Sequence, residues 1–242
     1  MKTYVCIDDT DILGGRGTGH LAATLIERIE EKGWGKCSYI TRHQLYFHPD
    51  IPYTSHNSAM CFAIEHEQDI FTELRDFAAE FLVAESEDGS DPGLCIAVED
   101  KIKDRQALMD YGRRAKSEIL TKRIAYDLAE AVGVHLSEHG GTGSGVIGAL
   151  AGVGLRLTGN DGRIKGKLTF PLPGDLLTVE QILAHSDVDR VQSLAGEVLG
   201  PDQPVKLGEK VKAVFLDHQK VLLVYPEDGL WHTCTKEQLK QF

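Results

Sequence analysis

The chain has 242 residues, 42% of them hydrophobic, and a formal net charge of −11. That length admits one large or two modest domains with a real core. The acidic field works against binding of free nucleic acid unless charge is strongly segregated, and no apolar run reaches membrane-spanning length.

The first stretch organises the rest. Tyr4, Val5, Cys6 and Ile7 form an apolar run that predicts a buried strand. Three carboxylates follow, Asp8, Asp9 and Asp11, and then glycines at 14, 15, 17 and 19 with Arg16 and Thr18 among them. A helix is predicted over residues 18–32, with Leu21, Leu25 and Ile29 recurring every four residues. Carboxylates crowded at a strand end repel one another unless a cation lies between them. Oxygen ligands of this kind suit Mg²⁺, which is usually held by one or two carboxylates plus substrate phosphates. Glycines at positive φ and a helix N-terminus present N–H groups to anions. Asp8, Asp9 and Asp11 are therefore candidate metal ligands, and Gly15, Arg16, Gly17 and Gly19 candidate phosphate contacts. The plainer reading is an acidic turn in which Thr18 caps the helix.

Residues 36–47 read as a second strand, with Tyr39, Thr41, His43 and Leu45 on one face. His43, His48 and His56 follow no metal-site spacing, so hydrogen-bonding or solvated roles are expected. Residues 59–65 and 94–98 are predicted strands, 69–84 an amphipathic helix, and 104–132 a long helical stretch with a break near Gly112. The cations Arg113, Arg114, Lys116, Lys122 and Arg123 read first as a solvated helix face, with RNA contact as the alternative. The five cysteines are scattered without a CxxC pair; four lie in apolar runs and are expected to be buried reduced thiols in a cytoplasmic protein without a signal peptide.

A second glycine-rich loop contains Gly141, Thr142, Gly143, Ser144 and Gly145. Two readings stand: N–H groups facing phosphates, or small residues that let a helix pack closely. A GxGxxG pattern is present, but residues 135–140 make a poor strand end for a dinucleotide fold. A hairpin is expected over 155–170, a capping box at Thr178 and Gln181 opening a helix through His185, and a short helix over 187–199. Residues 200–204 read as a linker marked by Pro201 and Pro204, followed by strands over 211–216, 220–225 and 230–233.

Taken together, IDDTD with its glycines and Thr18, the PDIPY stretch from Pro49 to Tyr53, Asp91-Pro92-Gly93, and GSGVIGALA from Gly143 to Ala151 resemble the archaeal tRNA-isoleucine agmatinylcytidine synthetase family. The resemblance covers residues 4–155 in patches. It implies an α+β fold: a split kinase-like catalytic α/β domain over 1–58 and 134–204, an inserted ferredoxin-like unit over 59–133, and a small C-terminal β extension over 205–242. It also implies ATP and Mg²⁺ as cofactors, activation of an acceptor by phosphoryl transfer for attack by an amine, and Thr18 as an autophosphorylation site beside the catalytic Asp8, Asp9 and Asp11. Here Gly19 stands where the family has a second threonine, the family's basic triplet is Thr54, Ser55 and His56, and its loop arginine is Ser144. The expected substrate is consequently small or nucleotide-derived; whole tRNA is disfavoured by the acidic charge and the missing zinc ribbon, and no membrane partner is expected. The competing readings are a nucleotide- or metabolite-binding module without turnover and a plain scaffold whose glycines serve turns.

Overall fold

The computed structural model describes residues 1–51, 57–170, 175–184 and 186–242. The stretch from Pro52 to His56, with part of the PDIPY motif, lies outside the described residues, as do residues 171–174 and His185.

The strand β1 (Lys2–Asp8) is buried at nearly every position, as a strand covered on both faces must be. It lies between β4 (Ser58–Glu65) and β5 (Gly93–Val98), antiparallel to both, with Cys6 opposite Cys61 and Cys95. Two short strands, β2 (Lys36–Cys37) and β3 (Thr41–Gln44), pair with β4 and replace the single strand expected over 36–47. Thr41, His43 and Leu45 are buried as the alternation predicts. β6 (His135–Glu138) pairs with β5, so residues 135–138 are a strand after all.

Alternation along the strands gives the sheet two different faces. Val5, Ile7, Phe62, Leu94 and Ile96 pack under α1 (Thr18–Glu31) and α2 (Phe71–Glu85). The other face carries small residues, Cys6, Ala59, Cys61, Ala63, Cys95 and Ala97, beneath α3 (Arg105–Arg114), α4 (Lys122–Val132) and α5 (Gly145–Leu157). These small residues let α5 lie close: a Cβ at Gly152 would overlap Cys6 Sγ and come within 3.0 Å of Ala59 Cβ. Gly112 of α3 serves the same end, since a Cβ there would meet the Ala151 carbonyl of α5 at 2.9 Å. The long helical stretch breaks near Gly112, as expected, α3 ending at Arg114 and α4 beginning at Lys122. The pairs Arg113–Asp110, Arg114–Glu118 and Arg123–Asp127 lie along these helices, as a solvated charged face requires.

The α+β class is as expected, and the internal division differs. From β1 to β5, with β2 and β3 acting as one interrupted strand, the order is β-α-β-β-α-β with β1 between β4 and β5, a ferredoxin-like arrangement. Strand β4 is thus integral to the sheet of β1, and no boundary falls at residue 58. The compact units are Met1–Thr158 and Gly159–Phe242.

The second unit contains β7 (Arg163–Ile164), β8 (Leu176–Thr178), α6 (Val179–Ala184), β9 (Arg190–Ser193), β10 (Pro204–Lys206), β11 (Val214–Leu216), β12 (Gln219–Glu227) and β13 (Leu230–Thr233). Strand β12 pairs with β11 and β13 as the sequence suggests, and also with β9 in parallel. The segment expected as a helix over 187–199 therefore contains a strand, because Val191 is needed in the core with Leu222, Val205 and Ile182. The 155–170 hairpin is not formed; its first residues complete α5, which is buried around nearly its whole circumference, Arg156 included. The capping box is present: the Thr178 N–H donates to Gln181 Oε1 at 2.9 Å and the Gln181 N–H to Thr178 Oγ1 at 3.2 Å. Residues 205–242 share a core with 177–199, so they are part of a larger unit and not a separate extension. No described helix is long and apolar enough to cross a membrane.

Candidate functional site

The acid cluster lies where β1 ends. Asp8 is 8% exposed, and its carboxylate rests on α5 in the space that a side chain at Gly148 would need. The Asp9 N–H donates to Asp8 Oδ1 at 2.9 Å. Asp9 itself has φ of 53°, a left-handed conformation that Asp tolerates better than most residues. Burial, reinforced by the neighbouring Asp9 carboxylate, pushes Asp8 up to about 8. Burial, then the charges of Asp91 and Asp11, push Asp9 up to about 6. Among the described residues no Lys or Arg forms an ion pair with Asp8, Asp9 or Asp11, so no cation among them neutralises the cluster.

Thr18 is the first residue of α1, not its cap. The capping position is Gly17, with φ of 83°, and no side chain caps the helix. The Thr18 hydroxyl instead donates to Asp11 Oδ1 at 2.9 Å and accepts the Thr10 N–H at 3.4 Å. The nearby Thr10 hydroxyl is buried without a hydrogen-bond partner. Arg16, expected at a phosphate, is engaged elsewhere: its guanidinium reaches the Glu85 carboxylate at 3.2 Å, the Glu85 carbonyl at 2.6 Å and the Glu87 carboxylate at 3.5 Å. Gly15 packs against Glu87 as well.

The second glycine-rich loop meets the acid cluster through Asp91. The Asp91 N–H donates to the Asp9 carbonyl and the Asp91 carbonyl accepts the Gly145 N–H, each at 3.1 Å. Both carboxylate oxygens of Asp91 hold Thr142: one takes its N–H, the other its hydroxyl at 2.9 Å. The Ser144 and Thr142 hydroxyls are 2.7 Å apart at the start of α5. From the other side Lys122 Nζ donates to the Thr142 carbonyl at 2.6 Å and to the Glu138 carboxylate. The glycines follow from this arrangement. A Cβ at Gly141, φ 53°, would collide with the Asp91 carboxylate, and one at Gly143, φ 72°, with that of Glu138.

The structure therefore brings Asp8, Asp9 and the loop of residues 141–145 together, and places Asp11 with Thr18. It directs Arg16 away. Asp91, Lys122 and Glu138 belong to the same constellation, and the sequence does not single them out as site residues; Asp91 enters there only within the Asp91-Pro92-Gly93 resemblance, and Lys122 as one of several cations on a helix face. Among the described residues no three His, Cys, Asp or Glu side chains form a ready-made metal cage. A magnesium ion needs only one or two carboxylates beside water and phosphate oxygens. The paired, un-neutralised Asp8 and Asp9 have the donor chemistry for that.

No family model matches the chain. Over 162 residues it is 30% identical to TiaS of Archaeoglobus fulgidus, a 2-agmatinylcytidine synthetase acting on an isoleucine tRNA, in a match covering 65% of this chain and 36% of that protein. The crystal structure of a tRNA fluorescent labeling enzyme matches with a TM-score of 0.55 and 30% identity over 64% of this chain and 36% of that one. A complex of TiaS with its isoleucine tRNA and ATP shares the fold at 22% identity, with a TM-score of 0.56 over 84% of this chain and 50% of the other. The chain thus spans 36% of the length of the curated relative it matches. Over 65% of its own length this chain is similar to the tRNA-isoleucine 2-agmatinylcytidine synthetase of Archaeoglobus fulgidus.

Proposed function

We propose that this chain is an ATP- and magnesium-dependent enzyme of the tRNA-modification type, which activates an acceptor by phosphoryl transfer for attack by an amine. The observation that carries the proposal is the junction at Asp91, where the acid turn and the second glycine-rich loop are joined within one hydrogen-bonded unit. The ATP in the TiaS complex and the identity to TiaS support it.

In this reading Asp8 and Asp9 hold magnesium, which supplies charge neutralisation for the phosphates. The N-termini of α1 and α5 and the Ser144 hydroxyl meet phosphate oxygens, while Asp91 holds the Thr142 hydroxyl. Asp11 holds the Thr18 hydroxyl and is placed to take its proton if Thr18 receives a phosphoryl group. Phosphoryl transfer demands mostly positioning and charge compensation, which these groups provide. The acceptor is a nucleotide-derived group; the acidic balance favours a small acceptor over whole tRNA. A cytoplasmic setting belongs to the same proposal.

A second reading has an observation in its favour. Arg16 is tied to Glu85 and Glu87, and Asp91 fills donors that a phosphate would use. A module that binds nucleotide without turnover fits that arrangement too.

The test is thermal melting with Mg-ATP, with ATP plus chelator, and without ligand, followed by a turnover assay. Ligand at about 100 times its dissociation constant adds roughly 2.7 kcal/mol of stability. A magnesium-dependent rise together with ATP consumption that Asp9→Asn abolishes supports the enzyme. A rise without consumption selects the binding module, and no rise at millimolar ATP overturns both.

A further inference from the structure

We infer that Asp91 and Lys122 are positioning residues that clamp Thr142 from opposite sides and so fix the second glycine-rich loop for a nucleoside triphosphate. This deepens the function proposed above and rests on it.

Thr142 is exposed at the tip of its loop, where an unbraced residue would be mobile. Every polar group of Thr142 is nevertheless engaged. Its N–H and hydroxyl go to the two oxygens of Asp91, and its carbonyl accepts from Lys122. Lys122 is braced in turn by Glu138, whose other oxygen accepts the Tyr126 hydroxyl at 3.3 Å. Four elements thereby converge on one residue: the segment before β5, the N-terminus of α4, the end of β6 and the start of α5. The two glycines that flank Thr142 are the positions where a side chain would strike the clamp. A loop needing only flexibility would not require a carboxylate on each side.

What the clamp fixes is chemical. It orients the Thr142 hydroxyl, and through it that of Ser144, at the N-terminus of a 13-residue helix. It also ties this loop to the backbone of Asp9. Hydroxyls and N–H groups held before the ligand arrives lose less entropy on binding. Neither Asp91 nor Lys122 need touch the phosphates for this.

The experiment compares Asp91→Ala, Asp91→Asn and Lys122→Met with the wild type. It reads the dissociation constant for Mg-ATP, the ligand-free melting temperature, and hydrogen exchange at the amides of residues 142–146. Asp91→Ala and Lys122→Met are expected to bind Mg-ATP about tenfold more weakly, the scale of losing a charge-assisted hydrogen bond. The same amides exchange faster without ligand, while the melting temperature stays close to that of the wild type. Asp91→Asn keeps an oxygen for the Thr142 N–H and an amide for its hydroxyl, and restores most of the affinity. Wild-type affinity and exchange in Asp91→Ala and Lys122→Met would overturn the clamp, as would Asn behaving like Ala, which points to charge instead of positioning. If the wild type binds no Mg-ATP, the function proposal fails first. Faster exchange in the variants then still establishes the clamp, and unchanged exchange removes it as well.

Discussion

The carboxylate of Asp8 occupies the space where Gly148 of α5 would carry its side chain. One residue ends the central strand and the other lies one turn into a buried helix. Their contact couples the acid cluster to the packing of α5 on the sheet.

That coupling makes Gly148→Ala informative. In an unconstrained helix, Gly to Ala would stabilise by roughly 0.5–1 kcal/mol. Here the new methyl would press on the Asp8 carboxylate and meet Leu45 Cδ1 at 3.0 Å. Overpacking of this kind costs roughly 1–3 kcal/mol. The expected outcome is a melting temperature lowered by several degrees, together with a smaller shift on adding Mg-ATP, because Asp8 has been displaced. A melting temperature raised above that of the wild type would show that the helix term wins and that Asp8 moves aside without penalty.

The same burial gives the acid cluster a pH signature. Folding raises Asp8 to about 8 and Asp9 to about 6, from an ordinary value of 3.8. Between the ordinary and the raised values the folded state binds more protons than the unfolded one, so stability falls as pH rises. Asp9 contributes that fall up to about 6 and Asp8 up to about 8. Without metal, the wild type should therefore lose stability from these two groups between about pH 4 and about pH 8, on the order of several kcal/mol. Asp8→Asn should flatten most of the slope. A cation competes with those protons, so the magnesium-induced rise in melting temperature should be larger at about pH 8 than at about pH 6. Parallel pH profiles for the wild type and Asp8→Asn would contradict the burial of an ionisable carboxylate at this position.

Local pattern makes much of this molecule legible. The Leu21, Leu25 and Ile29 stripe lies on the core face of α1, and the alternation through Thr41, His43 and Leu45 fixes which face of β3 is buried. The Thr178 and Gln181 capping pair forms because its partners are three residues apart. What escapes a reading of the sequence is long-range or aperiodic. Helix α5 is buried almost throughout, so no 3.6-residue rhythm marks its end at Leu157. Strand β9 owes its conformation to β12, about 30 residues further on. In the site, Asp8, Asp9 and Asp11 announce themselves as a cluster, whereas the partner of Arg16 is 69 residues away and Asp91 is 51 residues from Thr142. Thr18 is legible as belonging to the helix start, but its task is not. A threonine beside a helix start reads as a cap, and only the fold shows that Gly17 takes that position and frees the hydroxyl for Asp11.

That freed hydroxyl gives the last prediction. Thr18 is largely buried, its Oγ1 held by the Asp11 carboxylate at 2.9 Å, and it sits at the N-terminus of α1, where a transferred phosphoryl group would meet a favourable dipole. In the proposed reaction the Thr18 oxygen forms the new bond to phosphorus, the bond to the bridging oxygen of ATP breaks, and the hydroxyl proton passes to Asp11. Incubation with Mg-ATP should then add the mass of one phosphoryl group to the intact protein. Thr18→Ser should still accept it, and Thr18→Ala should not. Asp11→Asn keeps an oxygen for the hydroxyl but is a far poorer proton acceptor, and should slow the modification by roughly 10²–10⁴-fold, the usual worth of a positioned general base. A burial-only role for Thr18 predicts something else: no added mass in the wild type while ATP is being consumed, and a loss of stability in Thr18→Ala that Thr18→Ser restores. In that case the hydroxyl serves only to brace the acid turn through Asp11 and the Thr10 N–H.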